Sequence, residues 1–156
     1  SPTSDEGFVT KVQPHGVILE PFNPLSLAVA FEASFVARSS AGDKEHLNLM
    51  MQEAIQHRGF ALVDILQPCV TFNKKNTWMW YKQRIYDINK VPGYNPEDKS
   101  QAFLKAQEWG DKIPVGVIYK KDKPTFEDRV AVIKDNVLKD IKLEPDKLAA
   151  LIESFK

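Results

Sequence analysis

The chain has 156 residues, of which 43% are hydrophobic and 27% are charged, and its 21 basic side chains balance its 21 acidic ones. A chain of this size and composition is typical of one folded core and excludes a largely disordered protein. The balanced charge excludes a global field that would draw the chain to nucleic acid or to an anionic membrane. There is no long apolar run, no signal pattern and only one cysteine, which together predict a soluble, cytoplasmic protein.

The first third of the chain contains two strand signals and one helix signal. Residues 16–20, GVILE, predict a short strand. Asn23 followed by Pro24 predicts the capped start of a helix over residues 24–33, because a proline suits the first helical position. The apolar residues 35–38 then predict a brief interior strand.

A second helix and a second strand follow. Asp43 is a good N-cap for a helix in which apolar residues recur at three- and four-residue intervals. The tripeptide HRG at residues 57–59 suits its end, since positive side chains favour the negative helix terminus and glycine accepts a left-handed turn. The nearly continuous apolar run over residues 60–66 predicts a parallel strand covered on both faces.

The second half contains further helix and strand signals. Bulky residues over 77–86 predict an amphipathic helix, and helical spacing returns over residues 99–109. Residues 113–119 predict a strand, in which Pro114 is restricted to the strand start or to a sheet edge. Residues 120–156 predict an extended helical tail, with its clearer helix in LEPDKLAALIESFK.

Successive helix and strand units predict an α/β fold with a mostly parallel sheet and helices on both of its faces. The order of the elements favours a single α/β domain over residues 1–156, of which residues 120–156 form the helical tail. The clearer tail helix begins at Pro145, and its apolar face allows it to pack on a folded body.

Cys69 is the residue whose position points most directly to chemistry. It follows Leu66, the end of a predicted strand, by three residues, and ligands of open α/β sheets gather outside the carboxyl ends of strands. The residues alone leave open an inert buried thiol in an assembly domain, a reactive thiol with a nearby base or cation, and a metal-bound thiolate. A four-iron cluster takes four thiolates, so the other three would come from elsewhere.

The segment HRGFALVDILQPCVTFNKKNTWMWYK closely resembles part of the β subunit of 2-oxoacid:ferredoxin oxidoreductases. The resemblance extends to SPTSDEG, NPLSLAVAFEASFVAR, EHLNLMMQEAIQHRGF and EWGDKIPVGVIY, and it weakens after Tyr119. It implies the carboxy-terminal half of a thiamine-diphosphate-binding fold. It also implies that Cys69 is the fourth ligand of a four-iron four-sulfur cluster whose other cysteines lie in the amino-terminal half.

The resemblance further implies that thiamine diphosphate is held through Mg²⁺ by a Gly-Asp-Gly segment and a downstream asparagine, and neither element is present in this sequence. In the family, a Gly-Gly-Gln turn directly precedes the stretch matched here by Ser1, Pro2 and Thr3. We therefore expect the chain to begin just past the cofactor loop, with Thr3 at the rim of the cofactor site. An ordinary surface turn is the alternative interpretation of these three residues.

Several polar residues have simpler interpretations. His15, His46 and His57 lack a metal-binding spacing and are expected to be structural or surface groups. Asp64 is a carboxylate inside an apolar strand, so a buried, hydrogen-bonded role is expected rather than catalysis.

Two features follow Cys69 along the chain. Lys74 and Lys75 could attract an acidic electron carrier or ease reduction of a negative cluster, although adjacent loop lysines are usually solvated. Residues 78–81, WMWY, are expected to pack against the cysteine loop rather than to bind a ligand.

The activity implied by the resemblance is oxidative decarboxylation of a 2-oxoacid, with coenzyme A accepting the acyl group and ferredoxin the electrons. This chain would supply part of the electron path and would be inactive alone. The implied partners are the amino-terminal half of the β subunit, the α subunit, ferredoxin, coenzyme A and the 2-oxoacid, with no nucleic acid or membrane. The alternative is a non-enzymatic subunit-assembly domain in which Cys69 is inert.

Overall fold

The structure of the chain is a computed structural model that describes residues 3–135, 138–140, 142 and 145–155. The chain divides into two compact units, one ending at Lys123 and the other beginning at Pro124. Within the described residues, no helix combines the length and the apolar character needed to span a bilayer.

The first unit is built on a four-stranded sheet. Its strands are β1 (Phe35–Ser40), β2 (Ala61–Leu66), β3 (Ile85–Asp87) and β4 (Ile113–Lys120), in the spatial order β2-β1-β4-β3. The pairs β1–β2 and β3–β4 are parallel, whereas β1 and β4 are antiparallel. The prediction of an α/β fold with a mostly parallel sheet is therefore confirmed.

The described residues of this unit form the α-helices α1 (Pro24–Ala30), α2 (Lys44–Gln56), α3 (Trp78–Lys82) and α4 (Lys99–Ala106), and a short 3₁₀ turn at Ile88–Lys90. The side chains of Asn23 and Asp43 accept hydrogen bonds from backbone N–H groups in the first turns of α1 and α2. Both predicted N-caps are confirmed, and each satisfies a donor that the helix itself leaves unpaired. Helices α1 and α4 end three residues earlier than the sequence pattern predicts.

The core lies on both faces of the sheet because successive strand residues point to opposite sides. Val36 packs in one cluster with Leu25 and Val29 of α1, and Phe35 packs in another with Met50 of α2. Burying one such side chain contributes about 1.5 to 3 kcal/mol relative to leaving it exposed. Helices therefore cover both faces, as predicted.

The prediction of a strand over residues 16–20 is wrong. Gly16 has a φ of +80°, and Val17 makes the segment's two sheet-like hydrogen bonds, donating to the Phe8 carbonyl and accepting from the Gly7 N–H. Ile18 and Leu19 are exposed. An apolar run forms a strand only where a neighbouring strand pairs with it, and here the run lies on the surface of the unit instead.

The position of β2 also differs from its prediction. It is an edge strand of the sheet, and most of its residues are half-buried rather than covered on both faces. The apolar run correctly indicates a strand, but strand order is a property of the whole sheet and cannot be obtained from one segment.

The amphipathic helix predicted over residues 77–86 is only partly present. Helix α3 ends at Lys82, and Ile85 pairs with Ile113 in the parallel β3–β4 ladder. Pro114 is the second residue of β4 and lies opposite Tyr86, before the pairing of β4 with β1 begins at Gly116. Its predicted place at a strand start is confirmed, because no N–H is needed there on the β1 side.

The second unit contains α5 (Phe126–Arg129), α6 (Ala131–Lys134), a short 3₁₀ turn at Leu138–Asp140 and α7 (Pro145–Glu153). Thr125 and Asp128 form a capping box at the start of α5. Helix α7 begins at Pro145 as the sequence predicts. Leu143, Glu144 and Lys156 of the predicted tail helix lie outside the described residues.

Glu32 joins distant parts of the first unit just after α1. Its backbone has a φ of 57°, and its carboxylate accepts hydrogen bonds from Lys123 and Lys99, each at 3.0 Å. Lys123 also donates to the Glu32 backbone oxygen at 2.7 Å. The Lys123 and Lys99 hydrogen bonds lower the pKa of Glu32 from 4.5 to about 2.

Acid is expected to weaken the first unit through Glu32. Its pKa is lowered on folding from 4.5 to about 2, so its stabilisation is complete above pH 4.5 and is lost as the pH falls toward 2. We expect Glu32→Gln to lower the urea midpoint of unfolding at about pH 6 and to leave it nearly unchanged at about pH 2. If Glu32→Gln lowered the urea midpoint by the same amount at both pH values, the lowered pKa of Glu32 would not explain its contribution to stability.

Candidate functional site

An open cleft of about 630 Å³ lies in the first unit. Its walls come from the segment over residues 3–13, the chain entering α1, the carboxyl end of β2 with the loop after it, and the chain leaving α4. Residues far apart in sequence therefore meet here. The lining includes Thr3, Asp5, Phe8, Arg38, Asp64, Cys69, Phe72, Tyr81 and Trp109.

Cys69 lies on the wall of this cleft and its residue is exposed. It follows buried Pro68 and stands three residues past Leu66, the last residue of β2. Its backbone oxygen accepts a hydrogen bond of 2.8 Å from the N–H of Asn73. The thiol is therefore on an open surface at the carboxyl end of a parallel strand, where a ligand has access to it.

Asn73 holds the loop that carries Cys69. Its side-chain oxygen accepts the backbone N–H groups of Lys75 and Asn76, each at 2.9 Å. Its amide nitrogen donates to the Asn76 side chain at 2.9 Å. An asparagine that bonds to the backbone two and three residues ahead shapes a local turn. The position of the thiol is thus defined by contacts within its own loop.

The two lysines of this loop are engaged rather than free. Lys74 donates to the backbone oxygen of Val70, and Lys75 forms an ion pair of 2.7 Å with Asp5. The second contact joins the loop to the amino-terminal segment of the cleft. Both residues remain exposed, so their charge is shared between these contacts and solvent.

Arg38 and Asp64 form an ion pair beneath the cleft. They lie directly opposite each other in the parallel β1–β2 register, and Nε of Arg38 is 2.8 Å from a carboxylate oxygen of Asp64. Only 3% of the Arg38 side chain and 23% of the Asp64 side chain are exposed. The predicted hydrogen bond of Asp64 is confirmed, whereas the carboxylate is only partly buried and lines the cleft.

An aromatic cluster lies beside the Arg38 guanidinium, which is 5.5 Å from the centroid of the Trp109 ring. Trp80, Tyr81 and Trp109 contact one another with centroid separations from 5.0 to 6.4 Å. Burial, followed by the nearby Asp64 charge, raises the pKa of the Tyr81 hydroxyl. The site therefore combines a fixed charge pair with an apolar aromatic wall.

The aromatic residues of α3 pack against neighbouring parts of the first unit. A β-carbon at Gly42 would meet the Trp78 ring at 3.1 Å, so this ring lies against the turn after β1. The Arg84 guanidinium stacks 4.5 Å from the Trp80 centroid and donates to its backbone oxygen.

Thr3 is exposed and lines the same cleft as Cys69. The two residues singled out from the sequence are thus brought together on one surface, although 65 residues separate them. Ser1 and Pro2, which belong to the same predicted stretch, lie outside the described residues.

The histidines lie in structural or surface positions. Nδ1 of His46 is 2.8 Å from the Ser39 hydroxyl, Nε2 of His57 is 2.9 Å from the Ser34 hydroxyl, and His15 is exposed. Burial, followed by the charge of Lys120, lowers the pKa of His57. This shift favours the uncharged imidazole, and His57 lies at the C-cap of α2, as the sequence predicts.

A metal centre built from this chain alone does not fit the described residues. In the described part of the chain, no group of three or more His, Cys, Asp or Glu side chains could hold a metal ion. Cys69 can offer one thiolate to an iron–sulfur cluster, and a four-iron cluster takes four. A single thiolate therefore fits a cluster only if other segments supply the remaining ligands.

Arg38 is the site residue that the sequence interpretation missed. The sequence does contain a signal for Arg38. An arginine in one apolar strand and an aspartate in the next predict an ion pair, because a buried charge needs a partner of opposite charge. The parallel register that brings Arg38 opposite Asp64 could not be obtained from either strand alone.

Comparison with known proteins gives a consistent result. A sequence profile described as the carboxy-terminal part of the pyruvate ferredoxin oxidoreductase β subunit matches residues 69–135. The chain is 39% identical over 140 residues to a 2-oxoacid:ferredoxin oxidoreductase β subunit of a Sulfolobus species, covering 83% of this chain and 46% of that protein. It is 40% identical over 141 residues to a corresponding subunit of Aeropyrum pernix, covering 84% and 44%.

A solved structure is also similar. A 2-oxoglutarate:ferredoxin oxidoreductase from Magnetococcus marinus, determined with 2-oxoglutarate, coenzyme A and succinyl-CoA bound, matches with a TM-score of 0.81 and 30% identity. The match covers 97% of this chain and 51% of that one. The chain thus spans about half the length of the relatives it matches.

Proposed function

Because the chain belongs to the family of 2-oxoacid:ferredoxin oxidoreductase β subunits, we propose that it supplies one cluster thiolate and one cofactor-facing wall of such an enzyme. In this proposal residues 1–156 are the carboxy-terminal part of a larger thiamine-diphosphate-binding subunit, with residues 120–156 as its helical tail. Cys69 binds a four-iron four-sulfur cluster, and the other three thiolates come from the remaining half of the subunit.

The observation that carries the proposal is the exposed cysteine on the wall of the cleft. A thiol that serves only to fill a core is normally buried among apolar side chains. No histidine lines the cleft among the described residues, which leaves a thiol enzyme without its usual base. The cysteine also begins the stretch matched by the family profile.

The reaction proposed for the whole enzyme converts a 2-oxoacid and coenzyme A into acyl-CoA, carbon dioxide and a proton. Two electrons leave the substrate, and two molecules of oxidised ferredoxin each accept one. Thiamine diphosphate, held with Mg²⁺ by the rest of the subunit, would supply the electron-sink chemistry that decarboxylation needs. This chain's part is to hold Cys69 in a fixed loop beside that site and to line it with Arg38, Asp64 and aromatic rings.

Thr3 is proposed to lie at the rim of the thiamine diphosphate site. Its support is its place on the cleft wall together with Cys69, because electrons pass efficiently only between neighbouring centres. The proposal also includes a cytoplasmic location, since a reducing compartment preserves a free or metal-bound thiolate.

The partners proposed are the amino-terminal half of the β subunit and the α subunit, with ferredoxin as the electron acceptor. Large apolar side chains stay exposed beside the cleft, and such patches mark surfaces that another polypeptide covers. These side chains are Val9, Val12, Ile18, Leu19, Phe22, Val70 and Phe72.

The test is an assay of the full-length β subunit produced together with its α subunit. We expect reduction of ferredoxin that requires both coenzyme A and a 2-oxoacid, with two ferredoxins reduced for each acyl-CoA formed. Pyruvate, 2-oxoglutarate and a branched-chain 2-oxoacid should be compared at equal concentration. The contrary result is an assembled enzyme that contains thiamine diphosphate and iron but reduces ferredoxin with none of these 2-oxoacids. That result would favour the alternative in which this chain is a non-enzymatic assembly domain.

A further inference from the structure

The Arg38 guanidinium has a donor that nothing in the described chain satisfies. Its Nε is occupied by Asp64 at 2.8 Å, but Nη1 is fully buried and has no hydrogen-bond partner among the described residues. Leaving a buried donor unpaired costs about 1 to 3 kcal/mol, and more when the group is charged. Such groups are rare in folded proteins, and each one calls for an explanation such as a bound water, an ion or a ligand.

The partner has to reach Arg38 from the cleft. Arg38 and Cys69 line the same cleft, and Asp64, which pairs with Arg38 across the sheet, precedes Cys69 by only five residues. Asp64 holds Nε of the guanidinium, and the Trp109 ring lies 5.5 Å from the guanidinium carbon. A group bound at Cys69 would occupy the same cleft and is therefore a candidate acceptor for Nη1.

The charge of the pair limits what this acceptor can be. Asp64 already neutralises Arg38, so a compact dianion such as a diphosphate would meet the Asp64 carboxylate as well as the guanidinium. A sulfur atom of a cluster is a large acceptor over which negative charge is spread, and it suits the unpaired N–H donors of Nη1. Hydrogen bonds to cluster sulfurs stabilise the reduced form more than the oxidised form and so raise the reduction potential.

We propose, on the basis of the function proposed above, that Arg38 is a positioning residue whose Nη1 donates a hydrogen bond to a sulfur of the cluster bound at Cys69. Asp64 holds the guanidinium in the orientation that this bond requires. The bond makes the cluster easier to reduce, and thereby favours its acceptance of electrons from the substrate.

The test uses the assembled oxidoreductase with Arg38→Lys. Lysine keeps the positive charge and can keep the ion pair with Asp64, but it lacks the second donor arm of the planar guanidinium. We expect the reduction equilibrium of the cluster to become about tenfold less favourable, a shift of about 59 mV to lower potential for one electron. A redox titration followed by electron paramagnetic resonance measures this shift.

Two further variants serve as controls. Arg84→Lys makes the same exchange at an arginine that stacks on Trp80 and does not line the cleft, so it should leave the potential unchanged. Asp64→Asn removes the negative charge beside Arg38 while leaving an oxygen that can still accept from Nε, so it should shift the potential upward. Opposite shifts from Arg38→Lys and Asp64→Asn are the expected pattern.

A measurement on the unaltered enzyme covers the case in which Arg38→Lys fails to assemble. With arginine labelled by ¹⁵N in its guanidinium group, electron spin echoes of the reduced cluster should contain a ¹⁵N coupling that Arg84→Lys retains. The absence of that coupling, or an unchanged potential in Arg38→Lys at full iron content, overturns the inference. If instead no cluster depends on Cys69, the proposed function itself fails.

Discussion

Replacing Cys69 with alanine is expected to remove one iron–sulfur cluster from the assembled oxidoreductase. Iron should fall by roughly four atoms per β subunit, because a cluster that loses one of its four thiolates is no longer held. Ferredoxin reduction should fall by at least roughly tenfold to a hundredfold, since even the removal of groups that only support metal ligands has effects of this size. Iron analysis, electron paramagnetic resonance and the coupled ferredoxin assay measure the two effects.

The controls for Cys69→Ala separate loss of the ligand from loss of the fold. Cys69 is exposed, so the free energy of unfolding of the chain should change by no more than about 0.5 kcal/mol. Thr71→Ala alters an exposed side chain of the same loop and should retain both iron and activity. Full cluster content in Cys69→Ala would show that this cysteine is not a ligand.

Gly116→Ala is expected to cause the largest loss of stability among the glycine-to-alanine substitutions of this chain. Gly116 has a φ of +111°, and a β-carbon there would lie 2.2 Å from the side-chain oxygen of Asn89. That oxygen accepts the Val117 N–H at 2.7 Å, and the Asn89 amide donates to the Val117 carbonyl at 3.0 Å. The added strain and the loss of these bonds should together cost about 3 to 5 kcal/mol.

Urea unfolding of the chain, followed by circular dichroism, measures the effect of Gly116→Ala. Gly93→Ala is the matched control, because Gly93 also has a positive φ of +79°, but a β-carbon added there would meet no atom of the described residues within 4 Å. Gly93→Ala should lower the free energy of unfolding only by the cost of backbone strain, about 1 to 3 kcal/mol. Equal losses at Gly116 and Gly93 would contradict a role for the Asn89 contact.

A double variant isolates the steric part. Asn89→Ala removes both the clash and the two hydrogen bonds, so Gly116→Ala should cost about 1 to 2 kcal/mol less in that background than in the unaltered chain. Additive losses would mean that the two residues act independently. The contact matters because Asn89 lies in the 3₁₀ turn that follows β3, and its side chain joins this turn to β4.

Local signals in the sequence predicted much of the fold. The caps at Asn23 and Asp43, the start of α7 at Pro145 and the order of helices and strands depend on residues a few positions apart, which short-range geometry determines. Where local signals failed, a distant partner decided the outcome. Ile85 left the predicted helix because Ile113 pairs with it, and Ile18 and Leu19 did not form a strand because the adjacent loop pairs with Val17 alone.

The candidate site also has one part that local sequence determines and another that long-range contacts determine. The QPCVTFN motif, the single cysteine and the resemblance to one enzyme family are present in the sequence by itself, and they indicate Cys69 and Thr3. Only the tertiary structure brings these two residues to one cleft and places Arg38 opposite Asp64 with an unpaired donor. The physical reason is that strand order and register depend on contacts across many residues of chain, whereas a motif records only the chemistry of its own segment.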